Sequence, residues 1–274
     1  MKILVTTPTG KVGSELVRQL SGKNLPHRLA LRNPAKAAPG AEAVAFDYTK
    51  PETFAAALDG VDRIYQAAPA DTPAAPQNAF LDAAVAAGVK RIVKLSALGA
   101  ERGDSPLRQV ERHLEGKPVE WTILRPTWFF QNFATSGAMG IKAGTLAEPA
   151  GEGQSAFIDT RDIAAVAVLA LTEPNHHGQA YALTGPTPHT RHEVAAAITE
   201  VLGRQVTYLP ISDAQFREAV SRFMPPSYVE LLSALYSGVR AGQAAAQTDV
   251  VKRLLGREPI GLSTFVRDYQ AVWR

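Results

Sequence analysis

The sequence predicts an α/β fold: a doubly wound parallel sheet with helices on both faces, followed by a smaller, mostly helical portion. Three observations predict it. The chain opens with a strand, a glycine loop and an amphipathic helix. Short β-rich runs and helical patterns then alternate to about residue 126, and beyond residue 210 only helical patterns remain. Strands that alternate with helices must cross over to parallel neighbours, and the crossing helices then cover both faces of the sheet.

Residues 1–13 (MKILVTTPTGKVG) set the β-formers Ile3, Leu4 and Val5 before Gly10 and Gly13, and Val12, Leu16, Val17 and Leu20 then share one side of a helix. This order opens a dinucleotide-binding unit of the Rossmann type. Free N–H groups at a helix start, reinforced by the helix dipole, hold a pyrophosphate, and glycine lets the backbone come close. Relative to G-x-x-G-x-x-G, Thr7 replaces the first glycine and Pro8 follows it. Proline donates no N–H and threonine resists positive φ, so the turn is expected to be built differently here. Thr7, Thr9, Gly10, Lys11, Val12 and Gly13 form the candidate cradle, and Thr9 and Ser14 carry hydroxyls that suit a phosphate.

His27–Leu31 reads as the second strand and ends at Arg32, Asn33 and Pro34. An acidic residue about 20 positions past the glycine loop binds the ribose 2′-hydroxyl of NAD, whereas arginine suits the 2′-phosphate of NADP. Here Arg32 stands at that place with Lys36 nearby, and no Asp or Glu occurs between positions 26 and 40. The expected cofactor is NADP(H).

Residues 42–46 read as a third strand closing on Asp47 and Tyr48, which suit an adenine ring by carboxylate and aromatic edge. Residues 51–58 are a short helix opened by Thr49. The fourth strand, 62–66, ends in Ala67, Ala68 and Pro69, small residues that let a cofactor pass. An alanine-rich helix at 76–87 is ended by Gly88, and Arg91–Leu95 delivers Ser96 at the end of the fifth strand. Glu111 and His113 sit in the next helix, stopped by Gly116, and the sixth strand, 120–124, leads to Pro126 and Thr127. In such sheets ligands bind at the carboxyl ends of the strands.

Residues 125–133 (RPTWFFQNF) put three aromatics in a row just past a strand end. They either plug a core, the usual fate of aromatics, or line an apolar pocket with few polar anchors. In the second reading Trp128, Phe129 and Phe130 supply the apolar surface, and Gln131 and Asn132 the anchors. Residues 137–153 are glycine-rich and are expected to form a mobile flap. A helix at 160–171 is expected to be capped by Thr160, with Asp162 in its first turn. A strand at 179–184, a helix at Arg191–Leu202 and a short strand at 205–210 follow. Helical patterns then occupy 214–221, 228–238, 249–255 and 263–273. Residues 1–134 are expected to form the NADP-binding domain, with 155–185 returning to it. Residues 135–274 are expected to form a substrate-side lobe, to which Phe157, Tyr228 and Tyr236 would contribute contacts.

With 274 residues, 46% of them hydrophobic, the chain can bury a sizeable core. Cysteine is absent, which excludes disulfides, thiolate catalysis and cysteine metal sites. The net charge of +3 comes from scattered residues, with no basic cluster of the kind nucleic-acid binding needs. No apolar run of membrane-spanning length and no signal peptide is read. The expectation is a cytoplasmic monomer or homodimer acting on a small molecule, with no nucleic acid, membrane or metal partner.

Reducing a carbonyl with a nicotinamide commonly uses a tyrosine with a lysine four residues later, which lowers the phenol's pKa. None of the seven tyrosines has that lysine. His176, His177, His189 and His192 lack carboxylates at metal-ligand spacing. Acceptors whose reduced forms are stabilised by delocalisation, such as quinones, dyes and imines, need little acid catalysis, and an aromatic surface stacks them. The nicotinamide is expected near Ala68, Ser96 and Pro126. Ser96, Glu111 or a water can assist protonation, and no residue stands out.

The motifs VTTPTGKVG, LRNPAK, AFDYTKPETFAAALDGVD, AAGVKRIVKLSALGA, VEWTILRPTWFFQNF, FIDTRDIAAVA, YALTGP and LLGREP run in order through nearly the whole chain. With them the chain resembles the NmrA-like members of the atypical short-chain dehydrogenases/reductases. The resemblance implies an NADP(H)-binding Rossmann domain and a smaller lobe that closes the substrate cleft. It also implies one of two functions: reduction of a quinone, triphenylmethane dye or iminium, or non-catalytic redox sensing. Thr7 and the missing tyrosine–lysine pair depart from the wider pattern. Both readings stay open on sequence.

Overall fold

A computed structural model describes residues 1–274. The fully buried Ile3, Leu4 and Val5 lie in β1 (Ile3–Thr6), the middle strand of the nucleotide-binding pattern. β2 (His27–Leu31) pairs on one side of it and β4 (Arg63–Gln66) on the other, and β3 (Ala43–Ala45) lies beyond β2. β5 (Arg91–Leu95), β6 (Glu120–Pro126) and β8 (Gln179–Leu183) continue past β4. The result is a seven-stranded, wholly parallel sheet in the order β3-β2-β1-β4-β5-β6-β8. β7 (Thr145–Glu148) and β9 (Thr207–Pro210) form a separate parallel pair. The strand order reverses between β1 and β4, where doubly wound sheets take their ligands.

The chain divides into two compact units, Met1–Pro126 with Thr160–Leu183, and Thr127–Asp159 with Thr184–Arg274. The first holds α1 (Lys11–Gly22), α2 (Phe54–Leu58), α3 (Ala74–Ala86) and α4 (Pro106–Glu115). The second contributes α5 (Ala138–Lys142), after which α6 (Thr160–Thr172) returns to the first.

In α1, Val12, Leu16 and Leu20 recur at helical spacing, so one stripe is buried while Glu15 and Arg18 pair outside it. α1 packs against α6. No basic residue stands in the last turn of α6. Its open carbonyls are instead bonded from the sheet: Arg63 donates to Leu171, and Arg91 donates to Glu173 and, at 3.1 Å, to Ala170. Two cations from β4 and β5 thus complement the negative end of the helix. Beneath α2 and α3, Phe46 meets Tyr48 and Phe80 edge-on at 4.8 Å, the arrangement aromatic quadrupoles favour.

The second unit adds α7 (Arg191–Leu202), α8 (Asp213–Val220), α9 (Pro226–Arg240), α10 (Val250–Leu255) and α11 (Leu262–Trp273). Thr190 with Glu193 and Ser212 with Gln215 form capping boxes that start α7 and α8. The core is aromatic. Phe130 stacks on Phe265 at 5.1 Å and on Phe157 at 5.5 Å, and the Trp273 indole donates to the Phe133 carbonyl at 2.9 Å.

Three expectations need correction here. Residues 137–153 are not a flap, because α5 and β7 occupy most of the segment and Leu146 is buried. Their glycines serve turns and close approaches: Gly144 lies at φ +89°, and a Cβ on Gly153 would lie 2.3 Å from the Val239 carbonyl oxygen. β6 runs on through Arg125 and Pro126, because β8 pairs with it as far as Leu183. Thr160 is the first residue of α6, not its cap.

Candidate functional site

The loop between β1 and α1 takes a geometry that threonine resists. Thr7 stands at φ +49°, in the left-handed region. Its carbonyl accepts the Gly10 N–H at 3.0 Å and points at Gly13, where a Cβ would lie 2.1 Å from the oxygen. Threonine thus does what the missing glycine would do, and the absent side chain of Gly13 makes room for it. The first N–H groups of α1 receive no side-chain cap, and its first turn holds no acidic residue. Lys11, at the positive end of the helix dipole, adds a cation where an anion is favoured. These features fit a pyrophosphate, which uncapped N–H groups and a cation stabilise together. Thr9 is exposed, Gly10 half-buried and Val12 buried beneath the turn.

At the ends of β2 and β3, Arg32 and Lys36 are exposed, Lys36 in a short 3-10 turn that Asn33 caps through Ala35. Asp47 bonds the Thr49 backbone N–H and hydroxyl, which hold its carboxyl below the usual range, helped by Lys50 and Arg32. Tyr48 corrects an expectation. Its ring is buried, and its hydroxyl donates to the Ala67 carbonyl at 2.8 Å and lies 3.2 Å from the Thr6 hydroxyl. It ties β1 to the end of β4 from below and offers no face to an adenine.

At the next strand ends, Ala67 is buried, Ala68 half-buried and Pro69 exposed, while Ser96, Pro126 and Thr127 are buried. Glu111 on α4 is fully buried, and Arg125 grips it with Nε at 3.0 Å and Nη2 at 2.7 Å. Arg108 adds a third bond at 3.0 Å. Burial raises the pKa of Glu111, and the bonds and charges of Arg125 and Arg108 outweigh this and lower it. A carboxylate so held is a poor proton donor, which corrects its candidacy as an acid. Lys94 on β5, unremarked in the sequence, is buried with its Nζ on the Leu95 carbonyl at 3.0 Å. Desolvation pulls it down to about 8 against the opposing charge of Glu111.

In the second unit the aromatic run separates by role. Phe130, Phe133 and Phe157 are core, correcting the first and third as substrate contacts. Trp128, Phe129, Asn132 and Tyr228 are half-buried. Tyr236 is buried in a second core with Phe216 and Val239, which corrects it as a substrate contact, and the half-buried Trp128 leans on it at 4.9 Å and 40°. Beneath this pair lies a residue that the sequence gave no reason to single out, the fully buried Arg191 at the start of α7.

The model of the NAD(P)H-binding family matches residues 8–174, which take in the glycine loop, β2, and the ends of β4, β5 and β6. The chain belongs to that family. It is an NmrA-like atypical short-chain dehydrogenase/reductase, and an NAD(P)H-dependent oxidoreductase. It is 35% identical to the NAD(P)H azoreductase of Xenophilus azovorans over 99% of both chains. The Citrobacter triphenylmethane reductase in complex with NADP(H) is similar in structure, with TM-score 0.84 and 25% identity over 98% of this chain and 100% of that one. The NADPH-dependent quinone oxidoreductase of Escherichia coli in complex with NADPH likewise gives 0.84, at 28% identity over 97% and 99%. No helix of this reductase is long and apolar enough to cross a membrane.

Proposed function

We propose that this reductase transfers a hydride from NADPH to a planar, electron-poor small molecule of the quinone, dye or imine class, without a tyrosine–lysine pair. The first unit serves as the cofactor domain and the second as the substrate-side lobe. NADPH, when bound, supplies the hydride. The uncapped start of α1, with Lys11 and the Thr7–Gly13 packing, takes the pyrophosphate. Arg32 and Lys36 take the 2′-phosphate, and Ala68, Ser96 and Pro126 stand where the sheet presents the reacting ring. The half-buried Trp128 stacks the acceptor.

The observation that carries the reading is the exposed Arg32 at the end of β2, with no acidic residue between positions 26 and 40. Relatives that reduce azo compounds, quinones and triphenylmethane dyes support the acceptor class. Because Glu111 is locked by two arginines, the acceptor's proton is assigned to water.

The test is a fluorescence titration with NADPH and NADH, followed by a screen of quinones, azo dyes, triarylmethane dyes and cyclic imines. NADPH should bind at least tenfold tighter than NADH. Arg32→Ala should remove that preference by raising the NADPH Kd about 30-fold, the worth of one charge-assisted phosphate contact. Equal binding of the two nucleotides would overturn the NADPH assignment, and NADPH oxidation by none of the acceptors would overturn the reaction.

A further inference from the structure

Lys94 is a charged group set inside a core. It alternates along β5 with Ile92, so its side chain lies on the face of the sheet that α3 and α4 cover, where Ile92 packs with Phe80, Val110 and Leu114. It is 1% exposed, and its ammonium donates to the Leu95 carbonyl at 3.0 Å. That carbonyl belongs to the peptide leading into Ser96. The ammonium therefore stands no more than about 6 Å from the Ser96 α-carbon, the hydrogen bond and one peptide unit away.

Few charges face it. From α4 come Glu111 and Arg108 and from β6 Arg125, which together are one carboxylate gripped by two guanidiniums. The buried side chains of α3 are uncharged. On β4 the register partner is Gln66, and behind it Tyr48, whose phenol burial keeps neutral. A buried lysine whose acid is held by others lowers stability, and such groups gather at functional sites.

Oxidised and reduced nicotinamides differ by one positive charge on the ring. Two unit charges about 8–10 Å apart, at an effective dielectric of about 20, repel enough to change a Kd about 15- to 30-fold. We propose that Lys94 makes this reductase tell the two redox states of its cofactor apart: its ammonium lets NADPH stay and drives NADP+ off, acting through space rather than by contact. The inference rests on the placement of the nicotinamide beside Ser96 and on nothing about the acceptor. A hydride carries negative charge from cofactor to acceptor, so the summed charge beside Lys94 is unchanged while both are bound. The penalty falls on the NADP+ left behind when the product leaves.

The test measures Kd for NADPH and NADP+ with the whole protein, and for 2′-phospho-ADP-ribose, which lacks the ring, as a control. In Lys94→Met the preference for NADPH over NADP+ at pH 7 should fall about tenfold, nearly all of it through tighter NADP+ binding. The ring-free fragment should bind within twofold of the wild type. In the wild-type protein the same preference should fade between pH 7 and pH 9.5. Desolvation brings the ammonium down to about 8, and NADP+ gains as the charge is lost. The preference of the variant should not change with pH. By the same linkage, calorimetry in buffers of different ionisation enthalpy should show protons released on binding NADP+ and none on binding NADPH. Ser96→Leu tests the placement by itself, and should weaken NADPH at least tenfold while sparing the fragment. No effect there overturns the placement and the inference together. With that effect present, a preference equal in wild type and Lys94→Met, or flat with pH in the wild type, overturns the role of Lys94 alone.

Discussion

The carbonyl oxygen of Thr7 fills the space that a side chain on Gly13 would need, 2.1 Å from where the Cβ would stand. The two residues make one device. A left-handed threonine turns its carbonyl inward, and a bare α-carbon on the helix receives it, so the first turn of α1 is left open toward a ligand.

Gly13→Ala therefore forces the carbonyl out and dismantles the loop. The expected cost is about 2–3 kcal/mol of stability, as for other overpacked sites, with at least a 100-fold loss of NADPH affinity. At Gly10 a Cβ would stand 3.2 Å from the same oxygen. Gly10→Ala should accordingly cost less than tenfold in affinity. Calorimetric titration of both variants checks the order, and equal losses would show that the close approach is not what the loop depends on.

Thr7 itself carries strain. A threonine in the left-handed region costs about 1–2 kcal/mol, and glycine gives back about 0.5–1 in chain entropy. Thr7→Gly should stabilise the protein by up to about 1 kcal/mol in urea unfolding without weakening NADPH. A loss of stability would mean that the threonine side chain supports the turn in its own right.

These loop variants also mark how far the sequence could be read. Strand order followed from alternating β-rich and helical segments, and the loop from its place between β1 and α1. What stayed hidden depended on which way a side chain turns after a strand end. Tyr48 and Phe130 sit next to site positions in sequence, yet both rings point into cores, because Phe80 and Phe265 wait there for them. Arg191 showed only as the first residue of a helix, since its partners Glu148 and Trp128 are distant in sequence. Glu111 read as a possible acid until Arg125, from the following strand, was seen to grip it. The glycines of residues 137–153 suggested mobility because composition does not distinguish a glycine that loosens a loop from one that lets two backbones touch.

Lys94 gives a pH-dependent prediction. Its pKa is lowered to about 8 in the folded protein by desolvation, opposed by Glu111, and returns to about 10.4 on unfolding. The unfolded chain therefore binds more protons between these values, so this lysine costs the most stability below pH 8 and nothing above about 10.4. Lys94→Met should raise the unfolding free energy by about 2–3 kcal/mol at pH 7, with the gain fading as pH rises through that window. Urea midpoints at pH 7 and pH 10.5 measure it. A gain independent of pH would come from packing instead of charge.

Glu111 runs the other way. Arg125 and Arg108 hold its pKa below the ordinary value despite burial, so the stability it contributes is fully present above the unfolded pKa and is lost as pH falls through the folded one. Glu111→Gln leaves two cations facing a neutral group. Arg108 keeps Glu115 at 2.6 Å, and Arg125 keeps only Glu101 at 3.8 Å, so most of the loss falls on Arg125. The expected cost is about 3 kcal/mol at pH 7, the lower end of the range for breaking a buried pair. The gap between wild type and variant should close on acidification, because a protonated Glu111 and a glutamine present much the same neutral surface to the arginines. Denaturation followed from pH 7 down to the acid limit of the fold reads this directly. A gap that stays constant would assign the loss to the shape of the side chain, and Glu111 would then be a packing residue that happens to carry a charge.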